Sequence, residues 1–145
     1  MNFYTTTSFR ISVSKLTRKP KDGYNSVVED ICEALKKMDD NILRETNDRI
    51  RQEKNFRIVK LRVNNSAQNL PKNDAFRLIY WVSMVTDNCV LLSVYPKRGP
   101  LAANNLTKNE FIRLLVEMVD ENEKSILQKA DILNNLNVIE EGCSW

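Results

Sequence analysis

Between Phe56 and Tyr95 the chain reads as strand three times in succession, and this stretch constrains the fold more than any other. Val59, Leu61 and Val63 alternate with Ile58, Lys60 and Arg62, and then Phe76, Leu78, Tyr80 and Val82 alternate with Arg77, Ile79 and Trp81. A period of two sends neighbouring side chains to opposite faces of a sheet. Cys89 to Tyr95 is instead almost continuously apolar, as expected of a central strand buried on both faces. A polar stretch containing Pro71 separates the first two strands, and Thr86-Asp87-Asn88 reads as a hairpin turn before the third. Three successive strands joined in this way favour an antiparallel meander packed on helices.

Those helices are expected on either side. Asn2 to Thr6 is a β-prone opening. In Ser8 to Leu16, Phe9, Val13 and Leu16 fit a helical stripe, whereas Phe9, Ile11 and Val13 fit strand alternation. The helix is preferred, with Ser8 as its N-cap. Pro20 and Gly23 interrupt the chain, and Val27, Val28, Ile31, Leu35 and Met38 then recur at helical spacing. Asn41 to Lys54 is mostly polar and fits a helical extension or an irregular excursion equally well. After the sheet, Thr107-Lys108-Asn109-Glu110 is a capping box opening a helix with Phe111, Leu114, Leu115 and Met118 on one face. Ser125 to Leu136 is predicted as a final amphipathic helix, on the spacing of Ile126, Leu127, Ala130, Leu133 and Leu136.

Composition narrows the chemistry. A length of 145 residues suits one domain, and no apolar run approaches the roughly 20 residues needed to cross a bilayer. The first residues lack the basic and apolar regions of a secretory signal, and three dispersed cysteines, Cys32, Cys89 and Cys143, suit reduced thiols. A cytoplasmic setting with no membrane association is therefore expected. The cysteines have no metal-ligand spacing, and the absence of histidine removes Ser-His-Asp chemistry and His-based zinc sites. An enzyme of this composition needs Lys, Arg, Tyr, Glu or Asp. The net charge of +3 is unevenly spread: residues 1–116 hold 20 Lys/Arg against 12 Asp/Glu, and residues 117–145 hold 2 against 7. A basic body suits a polyanionic partner, and an acidic tail could compete with it.

Strand parity sharpens that expectation. Lys60 and Arg62 share a face, and Arg77 points the same way if Phe76, Leu78 and Tyr80 face inward. Lys97 and Arg98 follow the third strand and are placed to close one side of the surface. Such a group of cations binds phosphate oxygens and stabilises the charge of phosphoryl transfer. Trp81 and Tyr95 are either platforms for base stacking or ordinary packing residues.

The segments Phe56-Arg57-Ile58-Val59-Lys60-Leu61-Arg62, Phe76-Arg77-Leu78-Ile79-Tyr80-Trp81 and Val90-Leu91-Leu92-Ser93-Val94-Tyr95-Pro96-Lys97-Arg98 resemble the RelE/ParE superfamily of type II toxins. Its members carry a K-L-R strand, an aromatic-Arg strand and an apolar strand ending in a basic pair. The opening Tyr4-Thr5-Thr6-Thr7-Ser8-Phe9 is also similar, and the likeness covers roughly residues 2–118. It implies an α+β fold with a four-stranded, twisted, antiparallel and mixed-edge sheet, N-terminal helices on one face, and C-terminal helices. Residues 1–118 would form the RelE-like domain and 119–145 an acidic helical extension of it.

The resemblance further implies a ribosome-dependent endoribonuclease that cleaves mRNA by metal-independent attack of the ribose 2′-hydroxyl, with no cofactor, and that is neutralised by a cognate antitoxin protein. Lys60, Arg62, Arg77 and Arg98 would be the catalytic cations, with Arg57, Lys97, Trp81 and Tyr95 contacting RNA. The chain departs from the family pattern in carrying Ala75 where a glycine is usual and Ile58 where a second lysine is found. The C-terminal His or Tyr that several relatives use as an acid or base has no match here; Asn104 and Asn105 fall in that neighbourhood, and Tyr95 lies upstream. The loop Asn64 to Asp74 is longer than in the family. Two further readings follow from the same fold: a ParE-like inhibitor of DNA gyrase, and a non-catalytic interaction protein.

Overall fold

A computed structural model describes all 145 residues as an α+β fold, with four α-helices around a mixed seven-stranded sheet. The three expected strands are present as β3 (Phe56–Val63), β4 (Phe76–Ser83) and β5 (Asn88–Pro96), paired antiparallel in sequence order. β1 (Asn2–Thr5) lies against β5 and runs parallel to it, so the chain crosses the sheet through helices before the meander begins. Those helices are α1 (Thr7–Thr17), α2 (Val27–Lys36) and the short α3 (Asp40–Glu45).

Three strands were not expected. β2 (Arg49–Gln52), within the ambiguous polar stretch, pairs with the outer edge of β3. All four of its residues are exposed, so it has no apolar alternation to reveal it. At the other edge, β6 (Leu127–Asp131) and β7 (Asn137–Cys143) form a hairpin, and β6 pairs antiparallel with β1. The sheet order is β2-β3-β4-β5-β1-β6-β7, which corrects the four-stranded expectation.

The hairpin also replaces the helix predicted over Ser125 to Leu136. Ser125, Asn135 and Leu136 adopt positive φ (54°, 52° and 59°), which ends any right-handed helix at those points. The free edge of β1 then offers backbone partners for residues 128–130, an attraction with no sequence periodicity. The acidic extension is accordingly helix to Glu123 and strand beyond it, because α4 (Lys108–Glu123) runs through the expected boundary at residue 118.

Helix caps follow local chemistry. The capping box of α4 is complete, with Thr107 Oγ1 accepting from Glu110 N and Glu110 accepting from Thr107 N. α1 is capped by Thr6, whose hydroxyl oxygen accepts from Phe9 N, rather than by Ser8. Ser8 is drawn away by α4: its backbone N and hydroxyl both donate to Glu117, while Thr7 N donates to Glu121 at 2.9 Å. Two carboxylates from α4 thus sit at the positive end of α1.

Each face of the sheet carries a core. On one, Val59, Leu61, Phe76, Leu78, Tyr80 and Leu91 pack against Phe9 and Leu16 of α1, Ile31 and Leu35 of α2, and Leu43 of α3. On the other, Ile58, Ile79, Trp81, Val90 and Leu92 pack beneath Phe111, Leu115 and Met118 of α4. The second core covers only part of its face and leaves the end bearing Lys60, Arg62 and Arg77 beside it. No helix is long and apolar enough to cross a membrane.

Candidate nucleic-acid interface

The register of β3, β4 and β5 places the cations. Arg62 lies opposite Arg77, Lys60 opposite Ile79, and Arg77 opposite Tyr95. Alternation puts Lys60, Arg62, Arg77, Ile79 and Tyr95 on the α4 side. Lys97 continues it: its N–H donates to Ala75 O at 2.7 Å, extending the β4–β5 pairing one step beyond Pro96. The turn that follows is fixed by Tyr24, whose hydroxyl donates to Arg98 O at 2.8 Å and accepts from Leu101 N at 3.1 Å. Gly99 (φ 89°) lies against that hydroxyl, and a Cβ there would collide with it.

Lys60 is the electrostatic centre of the group. Its amine is held below the ordinary lysine range, first by partial burial and then by the positive charges of Lys97, Arg77 and Arg62, with Asp48 opposing. The ammonium donates to Asn105 Oδ1 at 2.9 Å. Arg62 remains half exposed, 3.8 Å from Asp48. A lysine made more acidic by neighbouring cations is both a phosphate ligand and a group that releases its proton more readily than a free one.

Arg77 is held differently. Its side chain is buried (7% exposed), and the guanidinium donates to the carbonyls of Lys72 and Asn73 at 2.9 Å and of Phe76 at 3.1 Å. No carboxylate lies within ion-pair distance of it, and Asp48 and Asp74 offset its charge only from farther away. The long loop between β3 and β4 supplies two of these carbonyls. Its base is anchored by Asn65, whose amide donates to Gly23 O at 2.8 Å, and by Asp30, which accepts from Ser66 N at 2.9 Å.

Two expected site residues stand elsewhere. Arg57 projects from the opposite side of β3 and is buried, with its guanidinium donating to Glu53 O and Phe56 O. Arg98 is exposed, forms an ion pair with Asp74 at 2.9 Å, and is not among the charges acting on Lys60. Lys97 is, so the structure exchanges the positions expected of these two neighbours. Strand parity carried two residues past Tyr95 would have shown it.

Trp81 is no open platform. It is 9% exposed and stacked with Phe56 at 6.1 Å and with Trp145 at 4.9 Å between ring centroids. Tyr95 is also buried (7% exposed), and its hydroxyl has no hydrogen-bond partner. Burial holds that phenol above its ordinary range, and the charge of Arg77 works against the shift. The acidic tail does not blanket the cations. β6 and β7 lie beyond β1, at the sheet edge away from β3, and Asp48 is the carboxylate that acts on Lys60.

Beside Lys60 a cavity of about 290 Å³ opens between the sheet and the start of α4. It is lined by Ile50, Ile79, Leu106 and Phe111, and by the polar side chains of Lys60, Tyr95, Asn105, Thr107 and Lys108. Asp48, Lys108 and Phe111 had no signal as site residues, because contact between α4, β2 and the sheet brings them there. The arrangement can bind a phosphodiester and hold a lysine near it with a weakened grip on its proton. No known protein family, curated protein or solved structure matches the chain.

Proposed function

We propose that the chain is a RelE-like toxin of a type II toxin–antitoxin system: a ribosome-dependent endoribonuclease that cleaves mRNA without a metal. The observation that carries this reading is the strand register that sets Lys60, Arg62 and Arg77 on one face of β3 and β4, with Lys97 continuing that face beyond β5. Part of the element order adds support: β1, the helices, the β3–β4–β5 meander and α4 follow the order that the RelE resemblance implies, and β2, β6 and β7 are additions to it.

In this reading Lys60, once deprotonated, takes the proton from a ribose 2′-hydroxyl. The resulting oxygen attacks the adjacent phosphorus, the bond to the 5′-oxygen of the next nucleotide breaks, and that oxygen leaves with a proton from solvent. The products are a 2′,3′-cyclic phosphate and a free 5′-hydroxyl. Arg62 and Lys97 hold the phosphate oxygens, and Arg77 stabilises the added negative charge from below. The partners are mRNA in the ribosome and a cognate antitoxin.

The test is induced expression in a bacterial host with mapping of message ends. Growth should stop, and new ends should carry cyclic phosphates; Lys60→Met should lower cleavage at least about 100-fold, the scale of a lost general base. Unimpaired growth together with intact message, at confirmed folded protein levels, would exclude the reading. One observation favours a non-catalytic RNA-binding alternative: the Arg77 guanidinium is already engaged by three carbonyls. That alternative predicts RNA binding without new ends. Inhibition of supercoiling with unaffected translation would instead mark a ParE-like gyrase inhibitor.

A further inference from the structure

α4 carries two apolar faces. Phe111, Leu114, Leu115 and Met118 pack on the sheet side. With about 3.6 residues per turn, Ile112, Val116 and Val119 fall in one row on the opposite side. They are 45%, 63% and 47% exposed, so nothing within the chain covers them. A surface helix ordinarily turns charged or polar residues outward. Steps of four and then three residues are those of a seam between two helices.

The charges beside this row say what fits it. Lys108 and Arg113 flank its first half and Asp120 and Glu123 its second half, and all four are exposed. The other carboxylates of α4 are engaged within the chain: Glu110 in the cap, Glu117 by Ser8 and Glu121 by Thr7. Lys124, at the C-cap, pairs with Asp120 at 3.0 Å and leaves that end negative through Glu123. The row therefore runs from positive at its N-terminal end to negative at its C-terminal end. A second α4 laid antiparallel reverses that order and complements it, whereas a parallel one sets like charge against like. One register satisfies the whole row. With Val116 at a two-fold axis, Ile112 meets Val119 of the second copy, Arg113 meets its Asp120, and Lys108 meets its Glu123.

We infer that α4 pairs with α4 of a second copy of this chain, antiparallel about a two-fold axis at Val116, to form a symmetric dimer. Such an interface uses the same patch on both copies and closes at two. α4 is about 24 Å long, and one helix pair covers less than the roughly 1,200 Å² of a stable complex. The dimer should accordingly form at micromolar rather than nanomolar chain concentrations. The pairing does not depend on the nuclease reading, since it uses the row of α4 turned away from the sheet.

The test is sedimentation velocity of the full chain from about 1 µM to about 1 mM. The weight-average mass should climb from 16.9 kDa towards twice that value. Val116→Glu sets two carboxylates against each other at the axis and should weaken pairing at least about 10-fold. Arg113→Glu should weaken it about 5-fold, and adding Asp120→Lys should restore it, because the exchange reinstates both ion pairs with their signs reversed. Thermal melting confirms that each variant folds. A single-chain mass at every concentration would overturn the pairing. So would a dimer indifferent to Val116→Glu, or a loss in Arg113→Glu that Asp120→Lys does not repair. Vesicles of phosphatidylcholine and phosphatidylglycerol supply the last arm: capture of the wild-type chain that Val116→Glu abolishes would assign the row to a lipid surface and overturn the dimer.

Discussion

Lys60 carries opposed consequences for stability and activity. Its amine is more acidic in the folded protein than in the unfolded chain, so folding is penalised wherever the lysine is charged. The stability it contributes is present above the ordinary lysine range and lost as pH falls through its lowered value. Lys60→Met, which keeps most of the stem, should therefore raise Tm at neutral pH by about 2 °C while removing cleavage, a stability–function trade-off common at active sites. Activity has a separate signature. A base must be unprotonated to act, so the cleavage rate should climb with rising pH on message held in programmed ribosomes. Lys60→Arg should flatten that limb, since guanidinium does not deprotonate in this range. A limb of unchanged position in the arginine variant would show that another group titrates.

At the scale of elements, the contact between α1 and α4 is a pH-sensitive clamp. Glu121 is buried and accepts from Thr7 N and Oγ1, and Glu117 accepts from Ser8. Burial raises the Glu121 carboxyl above its ordinary range, the neighbouring Glu117 raises it further, and the Thr7 N–H opposes both. A carboxyl raised in this way stabilises the fold fully below the ordinary glutamate range and loses that contribution as pH rises through its shifted value. Glu121→Gln keeps an acceptor for Thr7 N and removes the repulsion. It should lift Tm by about 2 °C at neutral pH, with the advantage vanishing in acid, as measured by melting curves across pH. A constant difference at every pH would assign the effect to packing instead.

The elements also differ in how plainly the chain announces them. β3 and β4 were legible because each is buried on a face whose neighbour residues are apolar at every second position. The capping box of α4 was legible because it is a contact between residues three apart. β2 was illegible, having no buried residue and being held by backbone bonds to β3. The stripe from Ile126 to Leu136 misled in the opposite sense: Leu127 joins the α4-side core, while Ile132 and Leu136 pack on the α1 side, so one apparent helical face serves two layers.

For the whole molecule, the cations gather at one end of the sheet, while Asp131, Glu140 and Glu141 of the acidic tail stand at the far edge on β6 and β7. Binding to single-stranded RNA should accordingly be salt-dependent, with three or four neutralised phosphates giving a slope of log K against log salt of roughly −2 to −3. Fluorescence anisotropy with a labelled oligonucleotide over a salt series measures it directly. A slope near zero would mean that Lys60, Arg62, Arg77 and Lys97 do not meet the backbone. The sequence by itself determined the strand faces, and hence that Lys60, Arg62 and Arg77 point one way, because parity along a strand is a local property of the backbone. Only the tertiary structure decided which of these charges are free. Arg98 pairs with Asp74, Trp81 is covered by Trp145, and Lys97 reaches Lys60 through the β4–β5 pairing, all contacts between residues far apart in the chain. Arg77 is claimed by the nearby carbonyls of Lys72 and Asn73, in a loop whose course is set by its anchors at Gly23 and Asp30. A side chain's residue type does not say which neighbour will claim it.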